Sequence, residues 1–181
     1  MAFLRAQEDW IRKALENVVA GGMVTLGAEI PVEGRMVQLL PGPGRSVVLT
    51  EAALLVPGDA ARAAVRVAAY LKTRARDRLA AASDHYAARI GRRYGPLTLR
   101  DTRSRWGSCT SEAGLMYSWR LIMAPPRVLD YVAAHEVAHL AEMNHSDRFW
   151  AIVADLMPDY QIHRRWLKSE GHALHSYRFS E

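Results

Sequence analysis

His135, Glu136 and His139, in the stretch His135-Glu136-Val137-Ala138-His139, are the residues whose types and spacing are best suited to chemistry. Side chains four positions apart on a helix lie one above the other, about 5.4 Å along the axis, and can face one ion. Imidazole nitrogen is a ready zinc ligand, and a catalytic zinc takes three protein ligands and keeps a fourth position for water. The glutamate after the first histidine is suited to accepting a proton from that water. His145 follows six residues after His139. A continuing helix would turn it by about 600°, away from the other two rings. It reaches the same ion only if the helix stops first, and Asn144, which tolerates a left-handed backbone, is where a stop is expected. Glu142, three residues past His139, is the rival third ligand if the helix does not break.

Other residues have weaker claims. Arg105 can hold an oxyanion or a phosphate, or serve an ion pair within the fold. Cys109, the single cysteine, excludes an internal disulfide and reads as a small buried residue, with a redox-active thiolate as the minor alternative. Trp106, Trp119 and Trp150 read as core packing. His163, His172 and His175 read as exposed or tail residues.

The elements that must position these groups can be read from the pattern. Residues 9 to 19 suggest a short helix, ended by Gly21-Gly22. Met23 to Leu26, Met36 to Leu40, Ser46 to Leu49 and Ala53 to Val56 read as strands, with turns at Gly34 and Pro41-Gly42-Pro43-Gly44, giving a small antiparallel meander. Pro57-Gly58-Asp59 opens a long helix whose apolar stripe runs through Ala68, Leu71, Ala75, Leu79, Ala82, Tyr86 and Ile90 and which ends at Gly91 or Gly95. Leu97 to Arg100 and Leu115 to Trp119 are further strands, and the second is a candidate edge for peptide strand addition. Pro125-Pro126 starts the histidine-bearing helix. Ser146 caps another with Phe149, Trp150, Val153 and Leu156 on its apolar face. A last helix spans roughly Gln161 to Ser169.

Composition bounds the rest. The 181 residues are 50% hydrophobic, enough for one packed core. No secretory pattern opens the chain, and no uncharged apolar run approaches the roughly 20 residues of a membrane span, so a cytoplasmic protein without membrane association is expected. Net charge is +5, and from Asp59 to Arg105 twelve Lys/Arg face four Asp/Glu. Such a segment can attract nucleotide or nucleic-acid phosphates, or form a solvated helix face.

The ordered series Arg105-Trp106-Gly107-Ser108-Cys109, Ser118-Trp119-Arg120-Leu121, Pro125-Pro126, Asp130-Tyr131-Val132, His135-Glu136-x-x-His139 and Asn144-His145-Ser146-x-x-Phe149-Trp150 resembles the YgjP-like metallopeptidase family, relatives of the SprT-type zinc proteases. The resemblance covers about residues 34 to 170. It implies a zincin-type fold, with the long helix and the metal helix packed beside a small sheet. It also implies zinc on His135, His139 and His145, with Glu136 as catalytic base. Where family members often carry Asn before the strand tryptophan, this chain has Ser118.

The resulting expectation is an α+β, zincin-like single domain over residues 1–181, with residues 1–33 as an N-terminal extension. Its function would be Zn2+-dependent hydrolysis of a peptide or protein, with Glu136 as general base and Arg105 as a second catalytic candidate. A metal-dependent nucleotide pyrophosphatase and a nucleic-acid-associated protein with DNA-regulated protease activity are the alternatives.

Overall fold

A computed structural model describes residues 22–179, so the helix expected over residues 9 to 19 lies outside the described residues. The first sheet is built from β1 (Glu29–Val32), β2 (Arg35–Gly42), β3 (Val48–Leu49) and β4 (Ala53–Pro57) in the order β1-β2-β4-β3. β1 and β2 form an antiparallel hairpin. Its two turn residues, Glu33 and Gly34, both have positive φ, as the twist of a tight two-residue hairpin requires.

The expected antiparallel meander is corrected here: β4 lies between β2 and β3 and pairs parallel with β2. Its Ala53, Leu54 and Val56 are buried, which suits a central strand, whereas half-exposed Val48 sits on the edge strand β3. The Pro41-Gly42 part of the expected turn continues β2, paired with Val56 and Pro57 of β4, and glycine is needed there because a side chain at Gly42 would meet Leu55 Cβ at 2.7 Å. Of Met23 to Leu26, only Met23 pairs, in an isolated bridge with Arg178.

The long helix α1 (Ala63–Arg89) follows a short turn over Ala60–Arg62, whose start is capped by Asp59 Oδ1 accepting from Ala61 N at 3.0 Å. Ala68, Leu71, Ala75, Leu79 and Tyr86 of its stripe are buried against the rest of the molecule. Gly91, at φ +62°, lets the chain turn away from the helix end. The second sheet contains β5 (Leu97–Arg100), β6 (Gly107–Cys109) and β7 (Leu115–Ser118) in the order β5-β7-β6. β7 is therefore central, and the strand-addition edge expected at Leu115 to Trp119 is corrected: β6 borders one side of this sheet and packs against the metal helix.

Three helices complete the described chain: α2 (Pro126–Ala138), α3 (Asp147–Leu156) and α4 (Tyr160–Ser169). α1 packs along α2 and along the buried turn Trp119–Met123, and α3 and α4 also pack on α2. The hairpin tip docks on the segment leading into α2, with Glu33 N donating to Ile122 O at 2.7 Å and Gly34 N donating to Met123 O at 3.3 Å. The residues after Ser169 are not a loose tail. Leu174, Tyr177 and Phe179 are buried, and the Arg120 guanidinium donates to the Leu174 and Tyr177 carbonyls at 2.9 Å each. Arg120 also grips the Asp101 carboxylate through Nε at 2.6 Å and Nη2 at 3.1 Å. The result is an α+β molecule with the His-Glu helix at its centre. No helix among the described residues is long and apolar enough to cross a membrane.

Candidate metal centre

α2 carries His135 and Glu136 side by side on its last turn, and His139 caps its end just after Ala138. Three further turn hydrogen bonds, Leu140 N to Val137 O and both Ala141 N and Glu142 N to Ala138 O, carry the chain off the axis. Asn144 does not adopt the left-handed conformation expected of it; Glu33 and Ala113 are the non-glycine residues with positive φ among those described. Its side chain makes the turn instead, with Asn144 Oδ1 accepting from Ser146 N at 3.0 Å. Ser146 Oγ then accepts from Phe149 N at 3.3 Å and starts α3. The break swings His145 back, so that its Nε2 lies 3.1 Å from His135 Nε2. One ring nitrogen from each of His135, His139 and His145 lies within 4.8 Å of the others.

The donor set fits a single cation. A tetrahedral ion with bonds of about 2.0–2.1 Å spaces its nitrogen ligands about 3.4 Å apart. The facing His135 and His145 nitrogens, 3.1 Å apart, are close to that spacing and, with both lone pairs turned inward, suit a shared cation. His139 Nδ1 lies 3.0 Å from the Glu142 carbonyl and, donating to it, presents Nε2 with its lone pair free. Burial, with the neighbouring His139 and His145, drives the His135 pKa down to about 3, so that ring stays neutral, as a ligand must. Burial also lowers His139, against the Glu142 hydrogen bond, which raises it.

The Glu142 carboxylate points away to Arg148, 3.8 Å from Nε, and the rival ligand does not join the cluster. His135 Nδ1 is buried without a hydrogen-bond partner among the described residues, where metal-bound imidazoles usually have one. Packing orients the rings instead: the Phe149 ring lies 4.4 Å from His139, 4.8 Å from His145 and 4.9 Å from His135. Trp150 lies 5.7 Å from His135 and 5.8 Å from His145.

Glu136 is 6% exposed and lies against β6. A side chain at Gly107 would meet its Oε1 at 2.5 Å, so glycine there leaves room for the carboxylate. Burial pushes Glu136 up to about 8, while the positive charge of Arg105 pulls the other way. A cation at the neighbouring imidazoles would also favour its ionised form. Arg105 is exposed and joins none of the ion pairs seen among the described residues. Cys109 lines the cavity of about 240 Å³ over the triad; burial and Glu136 raise its pKa to about 11, which keeps it a thiol rather than a thiolate.

A family comparison covers almost the whole chain, matching residues 1–170 to the YgjP-like metallopeptidase domain. The chain belongs to the YgjP-like metallopeptidase family. It is therefore a metallohydrolase, and the histidine triad is where a metal ion can be held. The match includes the first 33 residues, which the motif series did not reach. No curated protein matches the chain. Among solved structures, the metallopeptidase zymogen of Pyrococcus abyssi abylysin aligns with a TM-score of 0.46 and 16% identity, over 51% of this chain and 95% of that one.

Several residues near this YgjP-like site escaped the sequence reading. Trp150 is part of the aromatic wall of the metal centre rather than only core. Arg164 of α4 stacks on it, with the guanidinium carbon 4.4 Å from the ring centre. Tyr131 and Leu167 line a cavity beside Glu136. His163 is engaged by Asp159 at 3.0 Å, and His175 packs on Trp106 at 5.0 Å, so neither is a free tail residue. Ser118 is fully buried and stays out of the open site. The signal available for Trp150, Arg164 and Leu167 was the amphipathic pattern of the last two helices, which alone does not aim either at the metal helix.

Proposed function

We propose that the chain is a zinc-dependent metallopeptidase in which His135, His139 and His145 hold the ion and Glu136 is the general base. The observation that carries this reading is the gathering of three imidazole nitrogens within 4.8 Å, beside a buried carboxylate on the same helix. Zinc, when bound, polarises a water and the scissile carbonyl. Glu136 takes the proton from the attacking water and passes it to the departing amine nitrogen as the C–N bond breaks. Arg105, exposed and close enough to bias Glu136, supplies positive charge to the oxygen that becomes negative. The outer edge of β6, which has β7 as its partner on the other side, offers backbone groups on which an extended peptide can align.

The basic segment 59–105 does not favour a phosphate substrate as directly. Arg74 and Arg78 contact Glu33, Arg76 contacts the Leu97 carbonyl, and Arg89 contacts the Leu156 carbonyl. The deciding experiment compares wild type with Glu136→Gln, both zinc-loaded, on a peptide library and on nucleoside triphosphates. The expected result is peptide cleavage that falls roughly 10²–10⁴-fold in the variant while bound zinc is unchanged. Triphosphate hydrolysis without peptide cleavage refutes the peptidase reading, and unaltered turnover in Glu136→Gln removes that residue from the mechanism.

A further inference from the structure

A cavity of about 220 Å³ opens beside the catalytic carboxylate, lined by Trp106, Gly107, Tyr131, Val132, His135, Glu136 and Leu167. Trp106, Val132 and Leu167 give it apolar walls, the Tyr131 ring adds an aromatic face, and His135 and Glu136 supply polar groups. Its volume lies below the roughly 300–1,000 Å³ of whole-ligand pockets, which suits one side chain rather than a longer segment. The far wall is built tightly: a side chain at Gly171 would meet Trp106 Cζ2 at 3.1 Å and Leu167 Cδ1 at 3.3 Å. His175 packs on the Trp106 ring, so the segment after α4 backs this wall. The cleft thus has little room beyond a single residue on this side of the triad.

Arg164 stands three positions before Leu167 on α4 and shares its face. Its half-buried guanidinium lies over Trp150, whose ring in turn lies 5.7 Å from His135. Leu167, one turn on, lines the cavity and Trp150 flanks His135, so Arg164 stands beside the cavity without lining it. It forms none of the ion pairs seen among the described residues. A guanidinium is a planar fork of donors matched to a carboxylate, and stacking on an indole holds that plane in place without using up its charge.

We propose that Arg164 receives the α-carboxylate of a peptide whose C-terminal apolar side chain fills the cavity walled by Trp106, Tyr131, Val132 and Leu167, so that the chain removes C-terminal apolar residues. This rests on the peptidase reading above and names its substrate class. Water adds across the last peptide bond, the C–N bond breaks, and the products are a shortened peptide with a new carboxylate and a free apolar amino acid.

The test has two arms, both on the zinc-loaded full chain. In the first, kcat/KM is measured on N-blocked peptides ending in phenylalanine as the free acid or as the amide. In the second, binding of N-acetylphenylalanine and its amide is followed by tryptophan fluorescence. The acid is expected to be preferred roughly tenfold or more in both arms. Arg164→Met, which keeps bulk over Trp150, loses the preference; Arg164→Lys, which keeps the charge, recovers part of it. Arg105→Met slows acid and amide alike and leaves their ratio intact.

Equal handling of acid and amide, or a preference that survives Arg164→Met, overturns the proposal. So does cleavage confined to internal bonds. Acid-selective binding that depends on Arg164, with no peptide cleaved, defeats the peptidase reading while upholding the carboxylate site.

Discussion

α1 and α2 lie against each other and divide the labour of the molecule unequally. α1 carries six of the twelve Lys/Arg that stand out in the sequence, and its partnered arginines build the frame. Arg74 donates to Glu33 at 2.6 Å and holds the β1–β2 hairpin, and Arg89 donates to the Leu156 and Asp155 carbonyls at 2.8 and 2.9 Å and so finishes α3. α2 has few charges, yet its Glu136 is buried and joins none of the ion pairs seen among the described residues, and its His135 Nδ1 is buried without a hydrogen-bond partner among them. A charge run marks scaffolding here. The chemistry lies where polar groups are desolvated and left for something else to satisfy.

The sharpest way to break this contrast is at the triad. His145→Ala should lower zinc affinity by more than the roughly 10–100-fold that loss of a mere outer-shell partner costs, whereas Glu142→Ala should retain the ion. Metal titration of the two variants gives the answer, and the opposite ranking would mean that the helix break does not create the site.

The next largest effect belongs to the frame. Arg120→Ala leaves two buried carbonyls and the half-exposed Asp101 carboxylate without their donor and should cost about 1–3 kcal/mol in urea unfolding, by the usual toll of an unsatisfied buried acceptor. Although its own burial opposes it, the Arg120 guanidinium holds Asp101 below its ordinary 3.8. A depressed carboxylate contributes stability that is present above its unfolded pKa and lost as pH falls through the folded value. Wild type should therefore lose stability below about pH 3.8 that Arg120→Ala has already forfeited.

Gly107→Ala tests the opposite balance. It should leave the unfolding midpoint nearly unchanged while displacing Glu136, with a loss of turnover on the order of 10²-fold for a misplacement near 1 Å. An active Gly107→Ala enzyme would show that the carboxylate has slack. The smallest effect is expected at Glu33→Gln, which weakens the Arg74 and Arg78 contacts at a partly exposed position. Unfolding should shift by less than about 1 kcal/mol, with turnover untouched. A larger loss would mean that the frame transmits to the site.

Much of this arrangement was legible one residue at a time. The stripe from Ala68 to Tyr86, the proline start of α2 and the Ser146 cap are local signals, and each appears where its chemistry requires. The His-Glu-x-x-His spacing needed only helical geometry to place its groups. Sheet order was not legible, because a parallel β2–β4 pair depends on which strand buries both faces rather than on turn composition. Nor was the site role of Trp150 and Arg164, since an amphipathic helix announces an apolar face but not its partner.

By itself the sequence determined which residues could be ligands, which carboxylate could act as base, and that a helix had to stop before His145. Tertiary structure alone decided that Asn144 stops it through its side chain, that β6 packs on the metal helix, and that Arg164 stacks on Trp150 beside His135. Local spacing follows from the 3.6-residue repeat carried in every segment of chain. Juxtaposition of distant segments follows from which apolar surfaces leave water together, and only the folded chain settles that.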